Sequence, residues 1–290
     1  MCGIAGVINF KQQQNPKLAP LLANLQARGK DATGIAHYDT AIENWHTLKA
    51  GIPANAFLDL PVTKQHLTMA KHARIVLLHC RQATHGSARD DSNNHPIIRR
   101  NGLLIHNGVA WFKKSYEANG QTDSEQILAH IENFGILKGV TKGMGSLTIA
   151  YVSFTTPDVV WLYRWGTPLV TIKNGNRLWF CSELNILTDS IPNISGKLHV
   201  FEDGELWRVD SKTGKIRRYK ANAKDYITYT SYTRPVYRPV GYGQAAKTKA
   251  LDTWPYDRDY FMDTEDAGEQ EDELLGIHPL YGNLGRWPVA

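Results

Sequence analysis

Cys2 directly follows the first methionine, and Gly3-Ile4-Ala5-Gly6 follows it. Removal of Met1 would put a thiol and a free α-amino group on one residue. A thiol attacks well only as thiolate, and a free pKa of about 8.5 leaves a few per cent ionised near neutrality. An α-amino group titrates at about 7.7–8.0, so it can take that proton and later return it. Nucleophile and general base would then share a residue, a variant of the usual pair. The competing reading of residues 2–8 is a buried first strand whose cysteine is only a small apolar side chain.

Four further motifs place polar groups at chain turns. Arg28-Gly29-Lys30-Asp31-Ala32-Thr33-Gly34 follows a helical stretch, and His79-Cys80-Arg81-Gln82-Ala83-Thr84-His85-Gly86 ends a strand, with Asn94-His95-Pro96 soon after. His106-Asn107-Gly108 ends the next strand, and Gly120-Gln121-Thr122-Asp123-Ser124-Glu125 opens a helix. An arginine can clamp a carboxylate through two parallel bonds, and an aspartate can hold an ammonium. Asn-Gly after a strand can aim a side-chain NH₂ and a backbone N–H at one point, as an oxyanion hole requires. The set suits a small zwitterion.

The elements that must position these groups are legible from periodicity. Residues 2–10 read as a buried strand, and Leu18, Leu21, Leu22 and Leu25 have helical spacing. Alternation over 35–50 suggests a hairpin, 74–80 and 102–106 read as strands, and 125–134 is amphipathic with a capping signal at Thr122-Asp123-Ser124-Glu125. Strands are expected at 146–154, 159–164, 168–172, 177–181 and 197–209, parted by Asn-Gly, Asp-Gly and Thr-Gly turns. Strands and helices do not alternate regularly, so the class is α+β.

Hydrophobic residues make up 42% of the 290 and charged ones 21%, ordinary values for a globular protein. No apolar run approaches the roughly 18 residues of a membrane span, and the start has no signal-peptide pattern. A cytoplasmic, membrane-free protein is therefore expected. Three cysteines without close pairing argue against a disulfide framework. The net charge of +5 hides an asymmetry: residues 221–290 hold seven basic and eleven acidic residues, leaving 26 and 17 in the first 220. That basic excess is scattered and no recognition motif accompanies it, so nucleic acid is not expected as a partner. His72, His79, His85, His95 and His106 lack the helical spacing of a metal site, and strand-end hydrogen bonding is the expected role. Neither metal nor cofactor is expected. After about Lys220 the periodicity is lost: five tyrosines lie in 226–242 and seven acids in Asp263–Glu273. This reads as an extended tail that wraps its own domain or docks on a partner.

Cys2 with these motifs in this order resembles the glutaminase domain of class II glutamine amidotransferases, which are N-terminal-nucleophile hydrolases. It is most similar to the amino-terminal half of glucosamine-6-phosphate synthases. Gly143-Met144-Gly145-Ser146, Arg164-Trp165-Gly166-Thr167-Pro168-Leu169 and Cys181-Ser182-Glu183 extend the likeness to about residue 215. The resemblance implies a four-layer αββα sandwich over residues 2–220, followed by a tail, 221–290, without a recognised domain. It implies hydrolysis of L-glutamine to glutamate and ammonia through a Cys2 thioester. Asn107 and the Gly108 N–H would form the oxyanion hole. Arg81 would bind the α-carboxylate, helped by Thr84 and His85, and Asp123 with the Gly108 carbonyl would bind the α-amino group. Arg28 would stand beside the nucleophile and fix the amino terminus. Gln82 departs from the pattern, because those synthases have tryptophan there, the residue that gates the ammonia route. Nothing after residue 220 resembles an acceptor domain, so a separate acceptor synthase or ligase is the expected partner. Two other readings stay open: an amidase for a different amide, and a catalytically silent subunit that retains the fold.

Overall fold

Alternation along the first strand decides the layering. In β1 (Gly3–Asn9), Ala5 and Val7 face one apolar cluster while Ile4 and Ile8 face another, and no residue of the strand is exposed. A strand apolar on both sides must be covered on both sides. The computed structural model describes residues 1–229 apart from 12, 13, 16, 117–120, 223 and 224, with the backbone alone for 222 and 225–229. Most of the expected tail lies outside the described residues.

Next along the chain come α1 (Leu18–Leu25), the hairpin β2 (Ala32–Asp39) and β3 (Asn44–Ala50), α2 (Ala54–Asp59), α3 (Pro61–Ala70) and β4 (Ile75–Arg81). A second group follows: β5 (Ile97–Arg99), β6 (Gly102–Trp111), α4 (Asp123–Thr141), β7 (Met144–Ser153) and β8 (Val159–Arg164). The described chain closes with β9 (Val170–Asn174), β10 (Arg177–Cys181), α5 (Leu184–Ser190), β11 (Lys197–Val200), β12 (Glu205–Asp210), β13 (Ile216–Asn222) and β14 (Asp225–Tyr229).

The strands form two seven-stranded sheets, ordered β11-β9-β10-β1-β4-β2-β3 and β14-β13-β12-β8-β7-β6-β5. Leu21, Leu22 and Leu25 of α1, Phe57 of α2 and Leu187 of α5 cover the outer face of the first sheet. Ile127, Leu128 and Ile131 of α4 cover the outer face of the second. Between the sheets, Ile4, Ile8, Ile75 and Leu77 meet Leu103, Ile105, Val160, Leu162 and Trp207. The result is the four-layer αββα sandwich.

Several elements differ from their sequence reading. The stretch 197–209 is two strands on different sheets, divided at the Asp203-Gly204 turn, where Gly204 has φ 79°. α4 runs past Phe134 to Thr141, but Gly135 (φ 74°) interrupts it, so the helical period stops there. Thr122 occupies the N-cap of α4 without a side-chain capping bond. Instead the Asp123 carboxylate accepts from the Ser124 N–H at 2.9 Å. The last two strands carry sheet pairing through Tyr229, past residue 220.

Gly6 shows how closely the central strands approach. A Cβ there would lie 2.2 Å from the Val76 carbonyl oxygen and 2.5 Å from the Phe180 ring. Gly6→Ala should therefore destabilise by about 1–3 kcal/mol, as overpacking does, and lower the melting temperature by about 3–10 °C for a domain of this size. Calorimetry showing a melting temperature within a degree of the parent would contradict that approach.

Candidate active site

Cys2 sits just ahead of β1, whose Gly3 pairs with Cys80 on one flank and whose Ala5 pairs with Cys181 on the other. Strand pairing on both sides fixes where the thiol emerges. The Arg28 Nε–H donates to the Cys2 carbonyl at 3.2 Å, and the same guanidinium pairs with Glu183 at the start of α5. The chain terminus is thus tied to the turn after β10.

The residues around Cys2 come from both sheets. A solvent-open cleft of about 260 Å³ is lined by Cys2, Arg81, Thr84, His85, Gly108 and Asp123, joined by Gln82, His95, His106, Thr122 and Ser124. Six of the eight expected site residues therefore share one cleft. Arg28 touches Cys2 from behind, and Asn107 lies beside Gly108 without lining the cleft. Asn107 is fully buried, and neither its Oδ1 nor its Nδ2 has a hydrogen-bond partner. Its carbonyl accepts from Thr167 Oγ1 at 2.8 Å. Gly108 has φ 148°, and a Cβ there would lie 2.1 Å from the Ser146 carbonyl. Glycine is required at that bend.

Arg81 is 3% exposed. It donates to Asn94 Oδ1 at 2.9 Å and to the carbonyls of His85 and Gly86, so its guanidinium curls the 82–86 loop around itself. An anion entering the cleft meets a buried positive charge whose fork is already partly engaged. Asp31 shapes the same loop, accepting from the Ala83 N–H at 2.7 Å and from Gln82 Nε2 at 2.9 Å. Asp123 accepts from the Ala110 N–H at 2.8 Å and keeps its carboxylate at the cleft wall.

Burial raises the Cys2 thiol pKa, against the opposing pull of a Gln82 backbone hydrogen bond, the chain terminus and Arg81. The sulfur lies 3.5 Å from the Gln82 carbonyl. A thiol held neutral needs a base at the moment of any attack. Burial pushes Cys80 and Cys181 up as well, Cys181 to about 12, and both lie inside the sheet. Neither can compete as a nucleophile.

The spacing argument did not reveal the polar floor of the cleft. His79 Nε2 donates to the His106 carbonyl at 3.0 Å, and His106 Nε2 faces the Ser146 carbonyl at 3.4 Å. His106 Nδ1 is then an acceptor for the Ser124 hydroxyl at 3.0 Å, which leaves Ser124 to accept from His95 Nε2 at 3.0 Å. The His79 and His95 rings stack with centroids 4.0 Å apart. With all three rings neutral, each of these bonds has one donor and one acceptor. Burial does depress all three: His79 to about 3, His95 well below its usual value, and His106 despite the nearby Asp123 charge. His72 and His85 stand apart from this group. No three His, Cys, Asp or Glu side chains among the described residues are arranged to hold a metal ion.

Similarity to known proteins converges on one family. Residues 16–141 match the family model for class II glutamine amidotransferases. The glutamine–fructose-6-phosphate aminotransferase (isomerizing) of Thermotoga maritima is 30% identical over 59% of this chain and 30% of its own length. Its counterpart in Helicobacter pylori is 25% identical over 78% of this chain and 39% of its own. The glutamine phosphoribosylpyrophosphate amidotransferase of B. subtilis superposes with a TM-score of 0.56 at 16% identity, over 75% of this chain and 49% of that one. This last likeness is one of fold. The chain spans between a quarter and two fifths of the length of the curated relatives it matches. No helix among the described residues is long and apolar enough to cross a membrane.

The neutral histidines make stability depend on pH. A histidine whose folded pKa is depressed contributes fully above its unfolded value of about 6.5, and that contribution fades as pH falls toward the folded value. Between pH 7 and 5, His79, with its folded value of about 3, should cost about 2 kcal/mol of unfolding free energy. His79→Gln keeps an N–H for the His106 carbonyl and removes the titrating group. Urea titrations at the two pH values should show the loss shrinking by about that amount.

Proposed function

We propose that this chain, which carries a class II glutamine amidotransferase domain, hydrolyses L-glutamine to glutamate and ammonia through a thioester on Cys2. The observation that carries the reading is the shared cleft. Groups from residues 2, 81–85, 108 and 123, far apart in sequence, face one small solvent-open space. Met1 is exposed, as its removal requires.

In the proposed reaction the Cys2 α-amine takes the thiol proton as sulfur bonds to the side-chain carbonyl carbon. The oxygen gains the negative charge, which Asn107 Nδ2 and the Gly108 N–H stabilise. An unpartnered, fully buried amide gains most from such a partner, because leaving it unpaired costs about 1–3 kcal/mol. The amine then passes its proton to the departing nitrogen, the carbon–nitrogen bond breaks, and ammonia leaves a thioester. Water adds to that thioester, with the amine again as base, and frees glutamate. Arg81 supplies positive charge for the α-carboxylate, with Thr84 and His85 on its loop. Asp123 and the Gly108 carbonyl hold the α-ammonium. Ammonia then serves a separate acceptor enzyme.

The requirement for both ends of a free amino acid sets this apart from an amidase for another amide. A free Cys2 amine sets it apart from a silent subunit that retains the fold. Intact-mass measurement should show Met1 absent. Cys2→Ala should abolish glutaminase activity without altering the fold, and a glutamine-like diazo-ketone should add one adduct, at Cys2. Asn107→Ala should lower kcat about 10²–10³-fold, the usual loss of one oxyanion donor, whereas Arg81→Ala should act mainly on KM. A retained Met1, an adduct elsewhere or exchanged kinetic phenotypes would each defeat the assignment.

A further inference from the structure

A second concavity lies between the sheets at the opposite end of β1 from Cys2. Leu178 of β10 lines it and pairs with Ile8, about six residues and roughly 20 Å of strand from the thiol. Its volume is about 290 Å³, at the lower end of the range for small-molecule sites.

The residues that face it are the wrong kind for a sandwich core. Lys173 of β9 and Lys197 of β11 line it and are direct cross-strand partners. Such neighbours have Cβ atoms about 4.5–5.5 Å apart, and like charges there are destabilising. Neither lysine makes an ion pair among the described residues; Lys173 lies only over the Phe10 ring, at 5.6 Å. From the facing sheet Arg218 adds a third cation, its guanidinium 4.4 Å from the Trp207 ring. The nearest acid, Glu205, is occupied by His199 at 2.8 Å and by the Trp207 N–H.

Thr171 lines the same space one row deeper. It is 1% exposed, and its hydroxyl has no hydrogen-bond partner. A buried hydroxyl without a partner costs free energy that a bound acceptor would recover. Leu178, Trp207 and Ile216 supply the apolar remainder of the wall.

From this arrangement we infer that the cleft binds a small phosphorylated metabolite. Its phosphate lies between Lys173 and Lys197, within reach of Arg218 and the Thr171 hydroxyl, and its carbon skeleton lies on Leu178 and Ile216. A phosphate dianion turns the like-charge pair into a two-pronged clamp and offers an acceptor to the unpartnered Thr171 hydroxyl.

Calorimetric titration of the full chain with ribose 5-phosphate, and with ribose as the uncharged control, tests the site. Saturable binding of the phosphate ester but not of the sugar is expected. Binding should weaken at least tenfold in Lys173→Ala/Lys197→Ala and several-fold in Thr171→Val, and Cys2→Ala should leave it unchanged. Lys197→Gln, which removes only the like-charge clash, guards against misfolding of the double variant and should itself weaken binding while raising the melting temperature of the free protein. Absence of saturable binding, equal binding of ribose, or binding undiminished in the lysine variants would overturn the proposal.

Discussion

β1 has no freedom to move. It is hydrogen-bonded to β4 on one side and β10 on the other, and its side chains are buried on both faces. Every displacement of Cys2 must therefore shift two neighbouring strands or break their ladders. Arg28 adds a third restraint, from the Cys2 carbonyl to Glu183. The pre-positioning that the proposed nucleophile needs comes from strand pairing on both flanks of β1. The cleft can then be small, because nothing in it has to hold the thiol in place.

Electrostatics around the thiol follow a consistent pattern. The fixed charges, Arg81 and Asp123, sit at the wall, whereas the floor is a chain of neutral groups linked through Ser124. Burial disfavours a charge on any of the three rings. With its rings neutral the floor adds no charge beneath Cys2, and the charges that act on the thiol are those of the chain terminus, Arg81 and Asp123.

Much of this could be read from the chain, for reasons that differ by element. The turn motifs were legible because their residue types suit only a few jobs, and the cleft gathers six of the eight expected residues. The partners that hold them were not. Asn94 meets Arg81 from a loop, and His79 meets the His106 carbonyl across the two sheets, contacts that no local pattern encodes. α2 and α3 escaped notice because each buries only two residues, too few for a helical stripe. The stretch 197–209 alternates as one strand would, and only the positive φ at Gly204 marks where it changes sheets.

That change of sheet has a mechanical consequence. The chain crosses between the sheets twice at neighbouring places, over 164–170 and over 200–205. The two crossings are joined where the Phe201 N–H donates to the Leu169 carbonyl at 3.0 Å and the Gly204 N–H to the Arg164 carbonyl at 2.9 Å. Thr167, inside the first crossing, also holds the Asn107 carbonyl. The sandwich is bound like a book, with its spine beside Asn107 and its fore-edge at Lys173 and Lys197. Any change in the spacing of the fore-edge would be passed to the joined crossings, and through Thr167 to the Asn107 backbone.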